Sequence, residues 1–351
     1  PPICHHPGLP EHPVVPWKIL TISQQKVSTL ATVAPSTSHV SGKPTVVVRS
    51  EHAPPNLATP NQATASAAFY YLALLGEARG LFAKEQLDRL IPLTKARRSL
   101  TESLQPGQRL DPISGTETIA HHFLTQGGKH SRPFIVLAVY DAMTGGTGTK
   151  SDASAWVKQL SPAIKRVAMS IETFHKASLV HDDIQDDDQY RYGQPTLHRQ
   201  YGTPTAINVG DYLIGLGYRL VSREAAELGP DVVADILDLL ADAHLKLCEG
   251  QGAELLWRDA GDKALTPADA LEIYALKTSP AFEAALLSGL RLAGSVEEYV
   301  APIQEYARQL GVAFQILNDL GDWRGDDHNK LLAAGDVTGG RPTVLWALAL
   351  E

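Results

Sequence analysis

The chain has 351 residues, 44% of them hydrophobic and 20% charged, with a formal net charge of −8. That is enough apolar material for a sizeable core in one large domain or two ordinary ones, and the acidic balance argues against nucleic acid as a partner and for cations. Two distant cysteines, Cys4 and Cys248, exclude a disulfide framework and point to a reducing, cytoplasmic setting; no apolar run approaches the ~20 residues of a transmembrane segment, and no signal peptide is visible.

Residues 1–63 stand apart. They hold 11 of the 23 prolines and 5 of the 13 histidines without helical periodicity, so they read as an extended arm or linker with one short strand at Pro44–Arg49. The chain opens on Pro1 and stops at Glu351 in mid-pattern, which reads as a fragment cut at both ends. Over 64–351 the apolar spacing becomes helical. It predicts a helix at 65–100 with a break near Pro92, helices at 117–125 and 133–143 flanking Gly127-Gly128, and a long central helix at 161–186. Further helices are predicted at about 205–227, 230–256, 266–294 and 297–322, and a last one opens near Pro342. No stretch of period 2 interrupts this part, so the fold class is all-α.

The stretch His175–His198 ends the central helix and places five aspartates, Asp182, Asp183, Asp186, Asp187 and Asp188, within seven positions. Asp182 and Asp186 are one helical turn apart on one face, where they repel unless a divalent cation bridges them. A site of few carboxylates completed by water and phosphate suits Mg²⁺. A solvated acidic helix end is the alternative for the cluster alone. A second cluster, Asn318, Asp319 and Asp322, closes the helix that contains Phe314 and Gln315. Two such helices facing one cavity would hold several Mg²⁺ ions and a diphosphate. Cations complement them: Lys129 and Arg132 follow the diglycine, where glycine lets a backbone approach phosphate, and Lys277 sits in an apolar helical pattern beside Thr278.

In order, the chain reads GGKxxRP (Gly127–Pro133), HxASLVHDDxxD (His175–Asp186), RxGxPTxH (Arg191–His198), GDYL (Gly210–Leu213) and EGQ (Glu249–Gln251), then Lys277-Thr278, FQIxxDxxD (Phe314–Asp322) and GDxxxGRPT (Gly335–Thr343). Over about 66–351 this resembles the trans-isoprenyl diphosphate synthases, the polyprenyl synthetase family. The resemblance implies an isoprenoid synthase-type helical bundle, with a central cavity flanked by two aspartate-rich helices, in a homodimer. It implies condensation of isopentenyl diphosphate with an allylic prenyl diphosphate, giving a longer trans-prenyl diphosphate and pyrophosphate. By position, Asp182, Asp183 and Asp186 with Asp319, Asp322 and Asn318 would bind Mg²⁺ and the allylic diphosphate; Arg191, Lys277 and Gln315 would contact that diphosphate. Lys129, Arg132 and His175 would hold isopentenyl diphosphate, and Thr278 would help stabilise the allylic cation.

Departures from the family pattern are Tyr192 for the second of two arginines, Asn318 for an aspartate, Leu332 for a lysine with Lys330 nearby, and Arg341 for a lysine. Read as a lost cation, Tyr192 predicts that Tyr192→Arg strengthens isopentenyl diphosphate binding. Asn318, Asp322 and Asp326, spaced four apart, loosely echo the second metal motif of class I terpene cyclases, which would ionise a prenyl diphosphate without elongation. A non-catalytic subunit of a heteromeric synthase is a third reading, opposed by the intact first aspartate motif. For product length, the small Ala177 and Ser178 lie just upstream of Asp182, and Phe174, two turns deeper, is the candidate floor of a cavity for a geranylgeranyl-like or longer chain.

Overall fold

The computed structural model describes residues 62–93, 110–150, 152–324 and 339–350. The arm over 1–61, the strand at 44–49, Asp326, Lys330, Leu332 and Asp336 lie outside these residues. The described part belongs to one compact unit within Thr59–Glu351.

The first helices are α1 (Gln62–Gly80), α2 (Lys84–Leu90), α3 (Gly115–Thr125), α4 (Ser131–Met143), and the short α5 (Thr147–Lys150) and α6 (Ala153–Gln159). The central helix is α7 (Pro162–Gln185), followed by a two-residue hairpin, β1 (Tyr190–Arg191) and β2 (Gln194–Pro195), and α8 (Leu197–Tyr201). Then come α9 (Thr203–Ser222), α10 (Ala225–Leu228), α11 (Pro230–Asp259), α12 (Pro267–Ala293), a 3₁₀ turn at Glu297–Tyr299, α13 (Val300–Arg324) and α14 (Val344–Leu350). The predicted break near Pro92 is present, with α2 ending at Leu90, and a second break at residues 81–83 helps bury Leu81, Phe82, Leu87 and Leu90 in the core. The predicted helix at 205–227 likewise stops at Ser222, where Glu224 turns inward to pair with Arg166 and Arg223. The hairpin is small but ordered: Tyr190 faces Pro195 and Arg191 faces Gln194. Its turn residues Tyr192 and Gly193 both have positive φ, the geometry that joins two strands tightly.

Local chemistry explains the helix starts. The Ser161 hydroxyl accepts from Ile164 N at 3.3 Å with Pro162 in the first turn of α7, and Thr266 and Asp269 form a reciprocal capping box on α12. Helix α7 is buried around most of its circumference, with Val167, Met169, Ile171 and Val180 in the core, and it packs on α9. On its other side α11 packs on α12, which is also covered by α13 and α4. Gly250 on α11 lies so close to the backbone of Leu276 and Lys277 that a Cβ would overlap it; glycine at this crossing lets α11 and α12 approach, and so positions Lys277.

Candidate active site

Helices α7, α9, α11, α12 and α13 enclose a cavity of about 430 Å³. One part of its lining is polar, with Asp182, Lys277, Thr278, Gln315 and Asn318; another is apolar, with Ile171, Ile214, Leu240 and Ala284. Arg132 and His175 also line it, so cations from two regions of the sequence meet one carboxylate in one space.

The first aspartate motif divides by direction. Asp182 lines the cavity, and its carboxyl is pushed up by burial, against the pull of Lys277. Asp183 is buried and turned to the hairpin, where Arg191 Nε donates to it at 2.9 Å and Arg191 Nη2 also binds it; Asp188 is 3.5 Å from the same nitrogen. Arg191, expected on the allylic diphosphate, is therefore enclosed by carboxylates and does not line the cavity. Asp186 caps α7 between two arginines, Arg258 at 3.0 Å and Arg341 at 2.7 Å. Arg341, a departure in the sequence, thus supplies a cation to the first motif.

The second motif divides in the same way. Asn318 lines the cavity, whereas its neighbour Asp319 is 2% exposed and is held by the Tyr274 hydroxyl and by Gln315 Nε2 at 3.3 Å. Consecutive helical residues differ by about 100° in direction, and here that turn carries Asp319 out of the lining and onto Tyr274. Asp322, one turn beyond Asn318, is half-buried on the same side of α13. The Tyr274 hydroxyl also accepts from Val344 N at 2.7 Å, fastening α14 to this end of the bundle. Thr278 donates to Gln315 Oε1 at 3.3 Å.

Lys277 is clamped by both carboxylate oxygens of Glu254, each at 2.8 Å. Burial opposes its charge, but Glu254 and Asp182 outweigh burial and hold it above the usual lysine range. Gln251 on α11 donates to Gln185 Oε1 at 2.7 Å and also lines the cavity. Glu254 and Arg258 carry no motif signal; only their spacing, one and two turns beyond Gly250 on the same helix, could have pointed to them.

Near the diglycine, Lys129 is exposed and its ammonium lies 5.4 Å from the centre of the Phe314 ring, while the Arg132 guanidinium is 5.5 Å from Phe282. Burial lowers the Arg132 pKa against the opposing effect of Glu172, and burial with the neighbouring cations keeps His175 neutral. His130 is buried at positive φ before α4, and burial brings it down to about 4.

In the apolar part, Ala177 and Ser178 line the cavity and Phe174 lies beyond them, edge-on to Tyr218 with ring centres 4.7 Å apart. Tyr218 hydrogen-bonds His244 Nδ1 at 3.2 Å, and the Phe174 ring sits where a Cβ on Gly217 would be. Among the described residues no three carboxylate, imidazole or thiol groups assemble as a metal-binding cluster. No described helix is long and apolar enough to cross a membrane.

A family model described as Polyprenyl synthetase matches residues 114–351. The chain belongs to the polyprenyl synthetase family. A short chain isoprenyl diphosphate synthase of Methanothermobacter thermautotrophicus is 32% identical over 233 residues, covering 66% of each chain. A geranylgeranyl diphosphate synthase of Sulfolobus acidocaldarius is 29% identical over 233 residues, again covering 66% of each. The chain therefore spans just under two thirds of the length of these curated relatives. The solved structure of geranylgeranyl pyrophosphate synthetase from Pyrococcus horikoshii matches with a TM-score of 0.61 at 28% identity, over 79% of this chain and 75% of that one. The all-α isoprenoid synthase fold expected from the sequence is the fold observed.

Proposed function

We propose that this domain catalyses the head-to-tail condensation of isopentenyl diphosphate with an allylic prenyl diphosphate, yielding a prenyl diphosphate longer by one unit and pyrophosphate. The observation that carries this reading is one cavity with a carboxylate and cations at one part and apolar walls at another. Relatives named as isoprenyl and geranylgeranyl diphosphate synthases support it. Arg132 in the lining favours elongation over ionisation alone, since ionisation needs no site for a second diphosphate.

In this reading the allylic C–O bond breaks to give a carbocation and pyrophosphate, the isopentenyl double bond attacks the cation, and a proton passes to the departing pyrophosphate. Lys277, fixed by Glu254, faces the allylic diphosphate, and Gln315 orients the Thr278 hydroxyl near the developing cation. Lys129, Arg132 and neutral His175 hold isopentenyl diphosphate, while the apolar walls exclude water from the cation. The hard oxygens of Asp182 on α7 and Asn318 on α13, both in the lining, with Asp322 one turn on and Asp186 at the α7 C-cap in exchange for its arginine pairs, suit Mg²⁺. Bound there it would neutralise diphosphate charge and so favour its departure. Asp183 and Asp319 instead brace Arg191 and Tyr274. Phe174 with Tyr218 behind it closes the apolar part and sets a geranylgeranyl-like or longer product. A homodimer in the cytoplasm completes the proposal.

The test incubates purified protein, Mg²⁺ and isopentenyl diphosphate with dimethylallyl, geranyl or farnesyl diphosphate, and reads products by mass spectrometry alongside pyrophosphate release. Elongated diphosphates that vanish on chelation are expected. Pyrophosphate release with hydrocarbon or alcohol as the only organic product would overturn the reading.

A further inference from the structure

Lys176 is the largest fully buried side chain in the described structure, and nothing in the proposed chemistry uses it. It projects from α7 toward the loop between α3 and α4. Its ammonium donates to the carbonyl of Gly127 at 3.0 Å and also to that of Gln126, the two residues that open the diglycine turn. It lies 4.1 Å from the centre of the Tyr192 ring and 5.2 Å from that of Phe123. The Tyr192 ring in turn packs directly on Gly127, where a Cβ would overlap it. Hairpin, helix α7 and diglycine loop thus meet at one ammonium group.

The charges around it are unequal. Arg191 is matched by Asp183 and Asp188. Lys176 and Arg132, with neutral His130 and His175 beside them, share the buried Glu172. Two cations to one carboxylate leave an excess positive charge next to the loop. Burial drives Lys176 down to about 7 despite Glu172, and the carbonyls and the ring face are the groups placed to hold its ammonium form.

We infer that Lys176 and Tyr192 form a latch that fixes the diglycine turn, with Lys176 as the positioning residue that lets Lys129 and Arg132 meet the diphosphate of isopentenyl diphosphate. The identity of that anion rests on the proposed function; the latch itself does not. Tyr192 is then not a lost cation but the aromatic seat of one supplied by α7. The expectation from sequence reverses: Tyr192→Arg removes the ring and sets a guanidinium against the Lys176 ammonium, so it weakens binding.

The experiment is a double-mutant cycle of Lys176→Met and Tyr192→Arg, with Tyr192→Phe as the variant that keeps the ring. Melting temperature, isopentenyl diphosphate binding by calorimetry, and kcat and KM for each substrate are measured. Lys176→Met is expected to raise KM for isopentenyl diphosphate roughly tenfold, the scale of a desolvated cation–π contact, and to leave allylic KM and kcat within about twofold. Tyr192→Arg alone does at least as much harm, Tyr192→Phe does little, and the double variant loses less affinity and less thermal stability than the two single changes combined. Tyr192→Arg improving KM for isopentenyl diphosphate, or independent effects in the cycle, would overturn the latch. If the parent protein binds no isopentenyl diphosphate, the proposed function fails, and the melting-temperature cycle still decides the latch: coupling supports it and additivity refutes it.

Discussion

Replacing Phe174 by alanine removes six ring carbons from the far wall of the cavity, about the bulk of one five-carbon isoprene unit. Phe174 lies eight residues before Asp182, so at 1.5 Å per residue the proposed floor lies about 12 Å along the helix from that carboxylate. The ring rests on Tyr218, which is itself tied to His244, and Gly217 offers no side chain to refill the gap. The void therefore persists. A Phe→Ala change in a core costs about 3–5 kcal/mol, and the lower end applies because Phe174 already borders a cavity. That corresponds to a melting temperature lower by roughly 10 °C in a domain of this size. Products formed from farnesyl diphosphate and isopentenyl diphosphate, separated by chain length and weighed by mass spectrometry, should shift one unit longer. Ser178→Phe, which lines the same face one turn nearer Asp182, brings the floor to about 6 Å and should shorten the product. An active Phe174→Ala enzyme with the parent's product distribution would refute the floor.

Asp182→Asn should abolish turnover, whereas Lys129→Ala should raise KM for isopentenyl diphosphate with kcat little changed; equal losses of kcat in both would mean that Lys129 acts in the chemical step. Tyr274→Phe removes the donor to Asp319 and the acceptor of Val344 N, and should cost about 1–3 kcal/mol with faster amide exchange at Val344; unchanged exchange there would show that α14 is held by other contacts. Because burial lowers Lys176 to about 7, the unfolded chain binds more protons than the folded one between there and the usual lysine pKa. Stability relative to Lys176→Met should therefore rise with pH across that window, by at most about 1.4 kcal/mol per unit, as read by denaturant unfolding from pH 7 to 10; a flat difference would mean that the ammonium keeps its charge throughout.

Much of this protein could be read from the chain alone. Apolar spacing marked α7, α11, α12 and α13 to within a few residues, since each must bury a stripe of its own side chains. Clustered aspartates, the cations after the diglycine and Lys277 pointed to one charged site, because residues of that kind are costly to hold together without a partner. Local spacing could not tell Asp182 from Asp183 or Asn318 from Asp319 as the residue that faces the cavity. Neighbours on a helix point about 100° apart, and the rotation of each helix about its axis is fixed only by what packs against it. The same holds for the pairs across the bundle: Glu254 on Lys277, Arg258 and Arg341 on Asp186, Lys176 on Tyr192. The sequence by itself determined which groups the protein carries; only the packing of α7 against α9, and of α12 against α11 and α13, decided which of them meet, since a charge finds its partner across space and not along the chain.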